Sequence, residues 1–294
     1  MNRTPLLRWY EREKRDLPWR HTRDPYRVLV SEIMLQQTQV SRVLEFYRRW
    51  LKRFPTWRAL ARASNKDVIH AWAGLGYNRR GLMLRDIARQ VVAHGVPKSR
   101  DEWLALKGIG PYTSAALASF CLREPAVPID TNIRRVLGRV LLGKTFPTLA
   151  DDARIEREAL KSWPKGDRAC DLPQALFDLA KAICVKSPAC AVCPLKAQCK
   201  AAPKFLSGRV RIPKRTVKKP NETKHRDKPF PDRIYRGRIL TELQKEESVL
   251  LSKIGLRIDP TYDPKYDADW VRNMIERMMK DGLVRVIGSR ARLS

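Results

Sequence analysis

The sequence lacks any run of about 18 apolar residues, the length that a membrane-spanning helix needs. Its first residues, MNRTPLLRWYEREKR, also turn polar too early to supply the apolar stretch of a secretory signal peptide. These absences argue against both a membrane protein and a secreted one. We therefore expect a soluble, cytoplasmic protein with no membrane partner.

Acidic residues are scarce. The 294 residues include 31 Asp and Glu against 60 Lys and Arg, which gives a formal net charge of +29. A solvated basic surface without a partner could account for a small excess, but an excess of this size favours a polyanion such as nucleic acid. With 43% hydrophobic residues, the chain can also form a packed core, and its length allows two domains.

Cysteine is also rare, with six residues in the chain. In an intracellular protein these thiols are expected to be reduced. Four of them form the pattern C-x5-C-x2-C-x5-C, at Cys184, Cys190, Cys193 and Cys199. This compact run predicts a metal site rather than disulfides, and its spacing differs from that of zinc sites, which usually present two ligand pairs separated by a longer loop. The other two, Cys121 and Cys170, are predicted to be buried thiols.

The stretch from Trp103 to Arg135 predicts two helices joined by a tight hairpin. A helix from Asp101 to Leu106 precedes Lys107-Gly108-Ile109-Gly110, and Pro111 suits the first position of the second helix. Gly108 and Gly110 permit positive φ and a close approach of backbone N–H groups, beside a helix N-terminus that favours anions. The stretch therefore predicts a phosphate-binding hairpin, although an ordinary glycine-capped hairpin has the same pattern.

A carboxylate follows this hairpin, because Asp130 stands at the start of the next amphipathic helix, where it could be only an N-cap. Hairpin and aspartate together resemble the helix-hairpin-helix-GPD superfamily of base-excision DNA glycosylases. The resemblance implies that the hairpin grips the DNA backbone and that Asp130 faces the sugar carbon of a flipped-out nucleotide.

A second carboxylate, Glu32, lies in an apolar run that predicts a mostly buried helix. An unpaired buried carboxylate is costly, so Glu32 is either protonated, with a raised pKa, or paired with a cation such as Arg27. The polar run Gln36-Gln37-Thr38-Gln39 follows, and its amides suit insertion into a base stack.

The segments SEIMLQQTQV and WAGLGYNRR closely resemble the MutY adenine glycosylases. The resemblance covers about residues 5 to 203. It implies that Glu32 is the general acid at the adenine and that Gln37 and Tyr77 wedge the duplex. It also implies a base pocket lined or bordered by Trp19, Arg20, Leu35 and Val40.

Hydrolysis of an N-glycosidic bond needs two carboxyl groups in different protonation states. Glu32 in its apolar helix suits the acid, and Asp130 at a helix N-terminus suits the anion. Tyr112 occupies the position of the Schiff-base lysine of endonuclease III enzymes, and a phenol cannot form an imine, so a monofunctional enzyme is expected. The cysteine run resembles the [4Fe–4S] loop of these families, with five residues in its first gap where they usually have six.

These observations predict an all-α, two-lobed helix-hairpin-helix glycosylase domain at 1–206, including the iron–sulfur loop at 184–199. Helices are expected from Leu6 to Arg15 and throughout 150–182. A basic linker at 207–231 and a small winged-helix-like domain at 232–294 follow. That last domain contains predicted helices from Asp232 to Gln244 and from Ala268 to Lys280, then two strands around Gly288, and its role is DNA binding or protein docking.

The expected activity is removal of adenine opposite 8-oxoguanine or guanine from double-stranded DNA, by a monomer associated with the nucleoid. A thymine or uracil glycosylase for G·T and G·U mismatches is the alternative within this fold, because archaeal thymine enzymes share the hairpin tyrosine. Asp130-Thr131-Asn132 in place of the usual Asp-Gly-Asn, and the lack of the family's β-rich 8-oxoguanine-recognition domain, keep that alternative open. A non-catalytic DNA-binding protein, with Glu32 and Asp130 structural, is the alternative from a different class.

Overall fold

The chain is mostly helical in the computed structural model, which describes residues 1–164, 166, 168–213 and 223–294. Its α-helices, in chain order, are α1 (Thr4–Glu13), α2 (Pro25–Leu35), α3 (Val40–Arg53), α4 (Trp57–Arg62), α5 (Asn65–Trp72), α6 (Arg79–His94), α7 (Arg100–Ala105), α8 (Pro111–Cys121), α9 (Thr131–Leu142), α10 (Asp152–Leu160), α11 (Arg168–Ala182), α12 (Ala202–Leu206), α13 (Asp232–Lys245), α14 (Leu251–Ile258) and α15 (Pro264–Lys280). None of the described helices is both long and apolar enough to cross a membrane.

The described residues form two compact units. Unit 1 comprises residues 1–32 and 96–213, and unit 2 comprises residues 33–95 and 223–294. The core of unit 1 is built from apolar side chains of α1, α9, α10 and α11, including Leu6, Val136, Ile155 and Leu176, all with no exposed surface. Helix α9, whose N-terminal cap is Asp130, packs in this core.

The predicted buried helix is confirmed as α2. Val28, Leu29, Val30, Ile33 and Met34 are all at most 2% exposed. The helix ends at Leu35, where the polar run begins. The surrounding apolar side chains therefore exclude most water from the Glu32 carboxyl group.

The predicted hairpin is also confirmed, between α7 and α8. The hydroxyl of Ser99 accepts a hydrogen bond from the N–H of Glu102 and caps α7. Pro111 begins α8 as expected. The Ser99 cap marks the start of α7, and Pro111 marks the start of α8.

The stretch predicted to be helical over 150–182 contains two α-helices with a break between them. A 3-10 turn at Leu149–Asp151 leads into α10, which ends at Leu160, and α11 begins only at Arg168. Pro164 lies in the break, and a proline disfavours helical backbone at the residue before it. Positions 165 and 167 lie outside the described residues.

The C-terminal elements of unit 2 are three helices and a small antiparallel sheet. Strands β1 (Val249–Leu250), β2 (Val284–Ile287) and β3 (Arg290–Leu293) are ordered β1-β3-β2. Helices α13 and α15 and the hairpin around Gly288 agree with the sequence prediction. Strand β1 and helix α14 were not predicted.

The predicted linker at 207–231 includes positions 214–222, which lie outside the described residues. Described residues of its C-terminal part contact the C-terminal elements of unit 2. The buried Lys228 ammonium pairs with Asp259 and Asp267, with N···O distances of 2.6 Å to each carboxylate. His225 stacks on Trp270, with ring centroids 4.8 Å apart. These contacts attach residues before α13 to the C-terminal elements.

Candidate active site

Glu32 and Tyr112 come together in unit 1. Tyr112 lies in the first turn of α8, and its hydroxyl donates a hydrogen bond to Oε2 of Glu32 at 2.9 Å. The carboxyl group is buried, with 8% of the residue exposed. Arg27, the cation considered as a partner for Glu32, lies 3.5 Å from Asp24 instead.

The environment of Glu32 favours its protonated form. Burial raises its pKa from the ordinary value of 4.5 to about 7, the hydrogen bond from Tyr112 opposes this rise, and the charge of Asp130 adds to it. Burial and the neighbouring Glu32 also raise the pKa of the Tyr112 phenol well above its usual range. A carboxyl group that titrates near neutrality inside a protein can serve as a general acid.

Asp130 is the N-cap of α9, as the structural interpretation of its position predicted. Its Oδ1 accepts hydrogen bonds from the N–H groups of Asn132 (2.8 Å) and Ile133 (2.7 Å), and its Oδ2 accepts one from Nδ2 of Asn132 (2.7 Å). The cap does not exclude a catalytic role, because it holds the carboxylate in one orientation at a helix N-terminus. The side-chain contact with Asn132 was not predicted.

The two hairpin glycines differ in backbone conformation. Gly108 has a φ of +102°, which favours glycine. Gly110 has a φ of −101° and serves as the N-cap of α8, so the expected need for positive φ there is wrong. A Cβ atom on Gly110 would meet no described atom within 4 Å, so the space beside this residue is open.

Trp19 and Arg20 lie in a 3-10 turn, Pro18–Arg20. Trp19 is buried. The Arg20 guanidinium makes a bidentate contact with Asp178, at 2.7 and 3.0 Å, and Arg15 binds the same carboxylate at 2.7 Å. This buried ion pair was not predicted, and contact of Trp19 and Arg20 with a base stays a prediction.

Unit 2 contains the two predicted wedge residues. Gln37 and Tyr77 both have left-handed backbone conformations, with φ of 56° and 50°, and both are exposed, Tyr77 to 61%. Such backbone is uncommon outside glycine and clusters at functional sites. The neighbouring Leu35 and Val40 are partly buried, and their contact with a base stays a prediction.

Arg80 binds the backbone of the two turns that carry Gln37 and Tyr77, here called the wedge turns. Its Nη1 donates to the carbonyls of Ile33 (2.9 Å) and Gln36, and its Nη2 donates to the carbonyl of Gly76 at 3.1 Å. Its guanidinium also lies 5.3 Å from the centre of the Tyr77 ring. Sequence reasoning missed this role because an arginine after WAGLGYN reads as a surface cation.

The four clustered cysteines line one cavity in unit 1, with Val136, Leu179 and Phe205 among its other walls. Nη1 of Arg139 donates to Sγ of Cys184 at 3.4 Å. Within the described ranges, no group of three or more His, Cys, Asp or Glu side chains is arranged to hold a metal ion. Cys121 and Cys170 are half-buried rather than fully buried.

Comparison with known proteins agrees with this geometry. Residues 30–165 match the family described as HhH-GPD superfamily base excision DNA repair protein. The adenine DNA glycosylase of Mycobacterium tuberculosis is 39% identical over 197 residues, which are 65% of this chain and 65% of that protein. Those of Arabidopsis thaliana and Homo sapiens are both 37% identical, and the matches cover 68% of this chain but only 36% and 39% of their own lengths.

Solved structures show the same fold. A thermostable thymine-DNA glycosylase, 28% identical, matches 68% of this chain and 94% of its own with a TM-score of 0.63. A trapped endonuclease III–DNA covalent intermediate, 19% identical, covers 69% of this chain and 94% of its own with a TM-score of 0.57.

Residues 30–165 are therefore similar to the HhH-GPD superfamily of base excision DNA repair proteins, and the mostly helical fold predicted from that resemblance is confirmed. The chain's curated relatives in bacteria, plants and mammals are adenine DNA glycosylases, which confirms the predicted MutY-type resemblance.

Proposed function

We propose that this protein is a monofunctional DNA glycosylase of base excision repair, which hydrolyses the N-glycosidic bond of adenine mispaired with 8-oxoguanine or guanine. It acts on double-stranded DNA at the nucleoid, as a monomer. The observation that carries the proposal is the buried Glu32 carboxyl group, hydrogen-bonded by Tyr112, with a pKa raised to about 7. The adenine glycosylase relatives support adenine as the base.

The two carboxyl groups divide the reaction between them. Protonated Glu32 gives its proton to the adenine ring as the bond from C1′ to the base breaks and the bonding electrons leave with the base. The Asp130 carboxylate stabilises the positive charge that develops at the sugar. Water then adds to C1′, and the proton that it releases restores the acid form of Glu32. The product is an abasic site in an intact strand.

The remaining predicted residues serve binding. Gln37 and Tyr77 enter the duplex, and the hairpin with Gly108 and Gly110 binds a backbone phosphate through its N–H groups. The base pocket is bordered by Trp19, Arg20, Leu35 and Val40. We assign a glycosylase domain to 1–206, a basic linker to 207–231 and a winged-helix-like domain to 232–294. The helix and strand order of α13, β1, α14, α15, β2 and β3 supports this last assignment.

The activity is tested by base release from A·8-oxoG, A·G, G·T and G·U duplexes. We expect free adenine from the first two, with strands that break only after alkali or heat. The second candidate is a thymine or uracil glycosylase, because the structure is similar to that of a thermostable thymine-DNA glycosylase. Release of thymine or uracil with no adenine would establish that candidate instead.

Tyr112→Phe should move the pH dependence of adenine release. The Tyr112 hydroxyl donates to the Glu32 carboxylate and so favours the ionised form. Without this bond the pKa of Glu32 rises further, and the acid stays protonated to higher pH. In single-turnover assays, the fall in rate with rising pH should therefore begin at a higher pH in Tyr112→Phe than in wild type. An unchanged profile would show that the hydrogen bond does not tune the acid.

The four cysteines Cys184, Cys190, Cys193 and Cys199 would hold a [4Fe–4S] cluster. The donor set supports this proposal, since four cysteine thiols line one cavity and such clusters are ligated by four cysteine thiolates, although the described side chains are not arranged around a single metal ion. The Arg139 guanidinium at Cys184 offsets negative charge there. A bound cluster would link the four cysteines covalently and so fix the loop at 184–199.

Protein purified without oxygen should be brown and contain about four irons per chain. Cys190→Ser should lower the iron content, whereas Cys121→Ser, a matched change outside the run, should keep it. Stoichiometric zinc in the wild type, or equal iron in both variants, would contradict the iron–sulfur assignment.

A further inference from the structure

Unit 2 contains a groove of about 710 Å³ between the wedge turns and helix α13. One wall includes Gln37, Tyr77 and Arg79, and the other includes Arg233, Arg236 and Gly237. Apolar side chains such as Leu240 and Leu283 also line it. The C-terminal helices therefore form part of a site together with residues that the proposed function assigns to the duplex.

Contacts within unit 2 hold this arrangement. Nδ2 of Asn65 donates to the carbonyl of Gly282 at 3.1 Å. Arg79 and Asp281 form an ion pair with an N···O distance of 3.3 Å. Because Asp281 is the only acidic residue among the described lining residues and is already paired, the cationic side chains give the groove a positive potential.

Two features of α13 point to a ligand. Nε of Arg236 is buried and has no hydrogen-bond partner among the described residues, although a buried polar group normally has one. Gly237 lies inside the helix, where glycine is unfavourable, and a Cβ atom there would meet no described atom within 4 Å. Gly237 therefore borders the open space of the groove rather than a packed neighbour.

We propose that this groove binds DNA and accommodates one nucleotide unit beside the wedge. The base packs against Tyr77 and the apolar lining, and the phosphate binds Arg233 and Arg236. Guanidinium groups bind phosphate in a planar, bidentate manner, and exposed aromatic rings stack on bases. The groove also has the size of a ligand pocket, about 300–1,000 Å³.

This inference rests on the proposed function, because the wedge residues form one wall of the groove. If the groove binds DNA, the role of the winged-helix-like domain at 232–294 is DNA binding rather than protein docking. The charge of the groove favours DNA over a protein partner. Its described lining contains several arginines and one acidic residue, which is already paired, and such a surface suits a polyanion.

The test measures affinity of the full chain for an undamaged duplex by fluorescence anisotropy at several salt concentrations. The double variant Arg233→Ala/Arg236→Ala should raise Kd about tenfold and lower the slope of log K against log salt by about two. Gly237→Leu should fill the groove and also raise Kd about tenfold at unchanged helicity. Arg272→Ala removes an exposed arginine from α15 outside the groove and should change Kd less than about twofold.

Wild-type affinity in the double variant and in Gly237→Leu, with helicity retained, would overturn the inference. A loss in Arg272→Ala as large as that in the double variant would also overturn it, because a different face would then bind DNA. Base release by the wild type separates the two proposals. Weakened binding by the variants with no base release from any duplex would retain the groove and reject the glycosylase, whereas base release with unweakened variants would do the reverse.

Discussion

Asp130→Asn is expected to abolish adenine release while the protein still binds its duplex. The substitution removes the negative charge that stabilises the developing positive charge at C1′, and such electrostatic stabilisation is worth about a thousandfold in rate. Asparagine is as good an N-cap as aspartate, so the hydrogen bonds to Asn132 and Ile133 can persist. Single-turnover rates should fall about a thousandfold, and Kd should stay within about threefold of wild type.

Asp130→Ala is the matched comparison. It removes the cap as well as the charge, so it should lose activity and about 1 kcal/mol of stability. If Asp130→Asn keeps near wild-type activity and only Asp130→Ala is impaired, the role of Asp130 reduces to capping α9.

Glu32→Gln is expected to lose activity and gain stability at alkaline pH. Glutamine has no acidic proton to give, which should cost roughly a hundred- to ten-thousandfold in adenine release. It retains an oxygen that can accept the hydrogen bond from Tyr112. The loss should therefore occur without loss of helicity.

The gain in stability follows from the sign of the pKa shift. The pKa of Glu32 is about 7 in the folded protein and near its ordinary value of 4.5 in the unfolded chain. The contribution of Glu32 to the free energy of unfolding is largest below pH 4.5 and is lost as the pH rises through 7. The wild type is therefore about 3 kcal/mol less stable above pH 7 than below pH 4.5 on account of this group. Thermal unfolding at pH 5 and pH 8.5 should show a gain for Glu32→Gln that is much larger at pH 8.5. A variant that is less stable at both pH values would indicate that Glu32 serves a structural ion pair.

Much of the local structure was predictable because short-range chemistry determines it. The apolar run around Glu32 predicted a buried helix, and Pro111 predicted the start of α8. Gly288 likewise marked the hairpin between β2 and β3. The break at Pro164 could have been predicted by the same reasoning, since proline and its preceding residue disfavour helical backbone.

The contacts that define the site were less predictable because they join distant parts of the chain. The hydrogen bond from Tyr112 to Glu32 connects residues 80 positions apart. The left-handed backbone at Gln37 and Tyr77 has no signal in the residue types, since glycine is the usual marker of that conformation. Arg80 could not be assigned to the two turns until both were placed around it.

Glu32 acts as a general acid only while its carboxyl group is protonated, so the pH dependence of adenine release reports its protonation state. Single-turnover release from an A·8-oxoG duplex should be measured with wild-type protein at saturating concentration from pH 5 to pH 9. We expect a rate that falls with the loss of a single proton centred near pH 7, where burial places the pKa of Glu32. A rate that stays constant across pH 7, or that rises through it, would contradict the role of Glu32 as the general acid.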